Sequence, residues 1–276
     1  MDMKTMNDEK KSTVILLSGG IGSGKSAVRR ILEGMGVPCY DADSAVKDFY
    51  QVPPERTATA FVAESRPERL GSGVSQKPFL LPEVESALGQ EFRRADGQFD
   101  NKALAAVIFS DSGKLKTVEN IVFPALVADF ERWRKSSDMA SVPDKALTAE
   151  AESVKGGSVG IPGLTAHVPV KPTKAPLSAD VVIFESATAL DKPDFPKVWD
   201  KCLWVDAPEE VRIERVMARD HCTREQVLSR LLLQSPLEAH RSEIDAIILN
   251  DCTLPELSSR VRSVLNCIMH PLNQCK

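Results

Sequence analysis

The chain opens its apolar pattern with a compact run, Val14-Ile15-Leu16-Leu17, which predicts a buried strand over about 13–18. Val28, Ile31 and Leu32 then recur at spacings of three and four. That period predicts a helix to about Met35, stopped by Gly34 and Gly36. Val37-Pro38-Cys39-Tyr40 predicts a short second strand, with a helix through about Tyr50 behind it. Val84, Leu88 and Phe92 predict a helix from about Pro82, and a turn at Ala95-Asp96-Gly97 leads to another over Lys102 to about Ser110. Val118, Ile121, Val122, Leu126, Phe130 and Trp133 form one long apolar stripe, in which Pro124 is expected to make a kink or a new helix start.

Beyond a break in this rhythm, Val181-Val182-Ile183-Phe184 and Cys202-Leu203-Trp204-Val205 read as buried parallel strands. A helix from Glu209 and another from Thr223 to about Leu233 follow. The last strand is expected at about Ala246 to Leu249, before a terminal helix carrying Leu254, Leu257, Val261, Val264, Leu265 and Ile268. Strands alternating with helices predict an α/β protein with a parallel sheet.

Three stretches fall outside this pattern. Residues 1–11 are polar. Residues 52–79 are irregular, with Pro53-Pro54, Gly71-Ser72-Gly73 and Pro78, and read as an insertion. Residues 136–178 have no aromatic residue and are rich in Pro, Gly, Ala, Ser and Lys. Such a segment buries too little to offset its ordering entropy, so it is expected to be a surface excursion.

Composition narrows the class. Of 276 residues 42% are hydrophobic, enough for a sizeable core, and the net charge of −4 argues against general nucleic-acid or membrane-surface binding. No apolar run approaches the ~20 residues of a membrane span, and the first ten lack a signal-peptide core, so a cytoplasmic protein is expected. Cys39, Cys202, Cys222, Cys252, Cys267 and Cys275 form no C-x-x-C pair and read as reduced thiols. His167, His221, His240 and His270 show no metal-ligand spacing.

The chemistry centres on Gly19-Gly20-Ile21-Gly22-Ser23-Gly24-Lys25-Ser26, which fits the phosphate-binding pattern G-x-x-x-x-G-K-[ST] between a strand and a helix. A glycine-rich turn points backbone N–H groups into a concavity, and the helix N-terminus adds partial positive charge. The stretch Ile21, Gly22, Ser23, Gly24, Lys25 and Ser26 is therefore expected to cradle the phosphates of ATP. Lys25 would reach the β- and γ-phosphates, and the Ser26 hydroxyl would hold Mg²⁺.

Acids stand at the carboxyl ends of two predicted strands, where ligands of open parallel sheets bind. Asp41 and Asp43 close the second. A carboxylate there can accept the proton of an attacking hydroxyl. Asp43 is read as that base, and Asp41 as a helix cap or a ligand behind it. Glu185 closes the strand 181–185 and is the candidate carboxylate for Mg²⁺. Arg212, Arg215 and Arg219 share the helix from Glu209. They are either a solvated face paired with Glu209, Glu214 and Glu225, or a lid that clamps the transferring phosphoryl group.

Several segments together resemble the dephospho-CoA kinase family. They are the stretch 17–26, Gly36-Val37-Pro38 with Asp41-Ala42-Asp43, Phe99-Asp100-Asn101-Lys102-Ala103-Leu104, and Ile108-Phe109-Ser110. Later come Val205-Asp206-Ala207-Pro208, Arg215-Val216-Met217-Ala218-Arg219-Asp220, Arg230-Leu231-Leu232-Leu233-Gln234 and Asp245-Ala246-Ile247-Ile248-Leu249-Asn250. The resemblance implies one domain over 12–276 with a three-layer phosphate-loop kinase fold. Its core would be about 12–50, 179–211 and 236–276, with a helical substrate-binding subdomain at about 80–135 and a small helical lid at about 212–235. It implies transfer of the ATP γ-phosphate to the ribose 3′-hydroxyl of dephospho-CoA, with Asp43 as the catalytic carboxylate; with Lys25, Arg215 and Arg219 from the residue reading, it makes up the expected catalytic set. Asn250 would lie near the adenine.

Two stretches depart from the family. Phe123-Pro124 stands where it usually has His-Pro, and Ala187-Thr188-Ala189-Leu190-Asp191 replaces a Pro-Leu-Leu-[FI]-Glu run. The rival readings are a kinase for another small alcohol and a non-catalytic nucleotide-binding scaffold. A GTPase is disfavoured because Asn101-Lys102-Ala103-Leu104 lacks the aspartate of a guanine motif. A monomer is expected.

Overall fold

The computed structural model of the chain describes residues 12–51, 77–139 and 181–269. The polar start, residues 52–76 of the first expected insertion and 140–178 of the second lie outside the described residues, as do Cys275, His167 and His270.

Five parallel strands form one sheet: β1 (Thr13–Ser18), β2 (Cys39–Asp41), β3 (Val181–Glu185), β4 (Lys201–Asp206) and β5 (Ala246–Leu249), in the order β2-β3-β1-β4-β5. Side chains alternate across a strand, so odd and even positions separate into two cores. On one face Val14, Leu16, Tyr40, Val182, Phe184, Cys202 and Trp204 are buried. They join α2 (Ala42–Phe49), α3 (Leu81–Leu88), α4 (Asn101–Ser110) and α5 (Ser112–Met139). On the other face Ile15, Leu17, Ile183, Leu203, Val205 and Ile248 meet α1 (Lys25–Gly34) and α8 (Leu254–Met269) through Val28, Leu32, Leu257, Val261 and Leu265. The α/β architecture with a parallel sheet expected from the pattern is thus present, and helices on both faces give the three layers implied by the resemblance.

The helices begin where the sequence supplies caps. Asp41 accepts from the Ser44 backbone N–H at 2.8 Å and caps α2, and Asp100 caps α4. Gly36, at φ 81°, turns the chain after α1. Of the two expectations at Pro124, a kink or a new helix start, the second is corrected: α5 runs on through it. The exposed side of the helix accommodates the missing N–H, since Pro124 faces outward while Val122 and Leu126 pack inward. The same helix extends to Met139, so the first residues of the expected 136–178 excursion are helical.

On the α5 side, the Tyr40 hydroxyl donates to Asp129 Oδ2 at 2.7 Å inside an aromatic group with Phe130, Trp133 and Phe184. Phe123, at the departure from His-Pro, stacks edge-on against Phe195 at 4.9 Å between centroids.

The stretch expected as a lid forms a helical pair, α6 (Glu209–Asp220) and α7 (Arg224–Leu231). Ile213, Val216 and Val227 form its own small core. Arg224–Glu210 and Arg230–Asp220 ion pairs staple it from outside, and Thr223 with Gln226 makes a capping box at the start of α7.

Candidate active site

The loop between β1 and α1 gathers the site. Gly24 sits at the N-cap of α1 in the left-handed region, at φ 94°. Among the described residues, the N–H groups of Gly22, Gly24, Lys25 and Ser26 donate to no protein acceptor. Free N–H groups at a helix N-terminus make an anion cradle. Lys25 folds over it, donating from Nζ to the Gly19 carbonyl at 2.7 Å.

Strand register brings the acids to the same edge. Asp41 and Glu185 are direct partners in the β2–β3 pair, and Glu185 is also opposite Leu17 of β1. Lys25 feels both Asp43 and Glu185. Burial pushes the lysine pKa down, against the upward pull of those carboxylates.

Asp43 lies in the first turn of α2 and accepts from the Ala187 N–H at 3.3 Å. Its surface opens to solvent, yet protein crowds it closely enough that desolvation raises its pKa above the usual aspartate range. The Ala187 bond and Lys25 oppose that rise. Ala187 begins the run that replaces the family's Pro-Leu-Leu, and a proline there would have no N–H to give. Asp41 is occupied as the cap of α2, bonding both N–H and hydroxyl of Ser44. Asp41 is thus the helix cap it was expected to be.

Glu185 is buried and held by charge, with its Oε2 at 2.8 Å from Arg29 Nε. The Arg29 N–H is not aimed at it, and that oxygen accepts no hydrogen bond among the described residues. Burial raises the Glu185 pKa, and Arg29 pulls it back. Arg29 escaped the sequence reading, although its place four residues after Lys25 puts both on one side of α1.

The arginines divide. Arg215 donates to the Ser23 carbonyl at 3.5 Å and to the Asn250 carbonyl at 3.2 Å, so it holds the loop. Arg219 does not join the loop in this structure: its guanidinium grips Asp220 at 2.7 Å and is largely exposed. Arg212, placed on this helix by sequence but given no separate role, donates from Nε to the Ile21 carbonyl at 2.9 Å. Asn250 is buried beneath the loop and donates from Nδ2 to the Ser23 carbonyl at 2.8 Å. Gln234 Oε1 accepts the Ile21 N–H at 2.8 Å, so that N–H is not free for a phosphate.

Ser26, on the first turn of α1, is exposed. Ser26 and Glu185 carry oxygen atoms of the kind a magnesium ion takes beside substrate phosphates and water, and Glu185 Oε2 is buried against Arg29. Among the described residues no group of three or more His, Cys, Asp or Glu could hold a metal alone. The described cysteines are free, and burial pushes the Cys202 thiol up to about 12.

A sequence model of the dephospho-CoA kinase family matches residues 171–256. A dephospho-CoA kinase of Geobacter sulfurreducens is 31% identical over 251 residues, covering 91% of this chain and 96% of that protein. The chain belongs to the dephospho-CoA kinase family. Another dephospho-CoA kinase, from Porphyromonas gingivalis, is 30% identical over 218 residues, or 79% of this chain and 75% of its own. A solved structure from Thermus thermophilus shares the fold, with a TM-score of 0.59 and 22% identity, covering 95% of this chain and 99% of its own. No described helix is long and apolar enough to cross a membrane.

Proposed function

We propose that the chain transfers the γ-phosphoryl group of ATP to the ribose 3′-hydroxyl of dephospho-CoA, giving coenzyme A and ADP. The observation that carries this reading is the convergence of Lys25, Asp43 and Glu185 beside a cradle of free backbone N–H groups. The cradle binds the polyphosphate and Lys25 spreads positive charge over the transferring group. Asp43, with Ala187 fixing one oxygen, accepts the proton of the attacking hydroxyl. Ser26 and Glu185 would hold Mg²⁺, which neutralises phosphate charge when bound.

The crevice has an acceptor side. The α3–α5 helices and the turn at Ala189–Asp191 border the sheet on the face of Tyr40 and Phe184, and we assign dephospho-CoA to that side. Arg215 and Arg212 act from the lid on the ATP side.

The test is ADP release by purified protein with Mg²⁺ and ATP, comparing dephospho-CoA with adenosine and gluconate. Release that depends on dephospho-CoA, with coenzyme A identified by mass, is expected. Equal release with every acceptor, or none with ATP still bound, would refute the substrate assignment.

A further inference from the structure

Ile21 is gripped by the lid from several directions. Its N–H donates to Gln234 Oε1 at 2.8 Å, just past α7. Its carbonyl accepts from Arg212 Nε at 2.9 Å, on α6. Its side chain packs on the lid core of Ile213, Val216 and Val227. The next residue is tied to the same helix: a Cβ at Gly22, whose φ is +77°, would stand 2.5 Å from the Arg212 carbonyl oxygen.

Peptide geometry turns these contacts into aim. In a trans peptide the N–H and the carbonyl point in opposite directions. The Ile21 carbonyl belongs to the same peptide unit as the Gly22 N–H. Arg212 draws that carbonyl toward the lid, and the Gly22 N–H, which has no acceptor among the described residues, is thereby turned away from the lid. The Ile21 N–H belongs to the peptide unit that carries the Gly20 carbonyl. Gln234 takes the N–H, and the Gly20 carbonyl is left facing the Ser23 N–H, from which it accepts at 3.2 Å.

We infer that Arg212 and Gln234 are positioning residues for phosphoryl transfer, which set the peptide planes on either side of Ile21 and so aim the phosphate cradle. The inference rests on the reading of this loop as the ATP site and adds what shapes it. Lid and loop then move as one unit, and a nucleotide that orders the loop also orders α6 and α7. Neither side chain need touch the nucleotide for this role.

The test uses the full chain with Arg212→Met and, separately, Gln234→Leu. Both keep an apolar stem against the loop and remove one polar contact. Calorimetric titration with ADP, without acceptor, is expected to show about 5- to 20-fold weaker binding in each, the scale of one hydrogen bond. By NMR, the Ser23 amide in Gln234→Leu should exchange about fivefold faster or more, because the Gly20 carbonyl is released. The Gly22 amide signal in Arg212→Met should broaden. The KM for dephospho-CoA should stay within about twofold of the parent, as a general loosening of the fold would not allow.

ADP affinity within twofold of the parent in both variants would overturn the proposal. So would weaker affinity with the Ser23 and Gly22 signals unchanged, which would mean direct contact with nucleotide. If one variant does not fold, the other reads its own peptide unit independently. Because ADP binding needs no acceptor, failure of the substrate assignment leaves this test standing.

Discussion

Asn250 Nδ2 stands 2.8 Å from the Ser23 carbonyl oxygen, so the end of the last strand holds the loop that follows the first. The same peptide logic applies: a carbonyl drawn down by Asn250 and Arg215 turns the Gly24 N–H into the cradle. Asn250→Ala leaves the carbonyl with only the longer Arg215 contact. The variant is expected to lose about 1–2 kcal/mol of stability and to bind ADP more weakly. Thermal denaturation and calorimetry check the two effects separately.

The partner experiment is at Gly24. A Cβ there would stand 2.1 Å from Asn250 Nδ2, on a backbone at φ +94°. Gly24→Ala is expected to cost about 1–3 kcal/mol and most of the ADP affinity. Combined with Asn250→Ala, part of the stability should return, since the clash is gone while the backbone strain remains. Strict additivity in that double-mutant cycle would contradict the contact.

Much of this was legible in the chain. The β1 run and the 246–249 strand stand where the pattern places them, because continuous apolar stretches between turn signals leave little choice of element. The placement of Lys25, Asp43 and Glu185 was readable because they sit at a strand end or on the first turn of the following helix. The tie from Asn250 to Ser23 was not, because side-chain bonds between distant segments depend on the fold. Asn250, expected near an adenine, also supports the loop. Arg219 turning to its neighbour Asp220 was equally hidden, since helical spacing says which side a residue takes and not which partner wins. The Ala187 N–H is a backbone group, invisible to any search for reactive side chains.

Turnover should follow a bell in pH. With Asp43 as the proposed base and Lys25 as the proposed phosphate contact, it would need the first ionised and the second protonated. Burial raises the first and lowers the second, so the acid limb lies above the usual aspartate range and the alkaline limb below the usual lysine range. Ala187→Pro removes an N–H that favours the carboxylate, and should move the acid limb of kcat/KM to higher pH. An acid limb that stays in place would separate that bond from catalysis.

Stability carries the opposite sign. The folded pKa of Asp43 is raised, so its contribution is fully present below the unfolded value and is lost as pH rises through the folded one. Asp43→Asn should therefore raise the melting temperature modestly at neutral pH, and the gain should vanish in acid. A neutral-pH melting temperature below the parent's would show that the carboxylate is needed to hold α2.

If Asp43 accepts the proton in a phosphoryl transfer to dephospho-CoA, replacing its carboxylate by an amide removes the acceptor. The kcat of Asp43→Asn is compared with the parent's at saturating ATP and dephospho-CoA, beside ADP affinity in the same preparation. Turnover is expected to fall about 10²–10⁴-fold while ADP affinity stays within about twofold. Near-normal turnover in that variant would remove Asp43 from the mechanism.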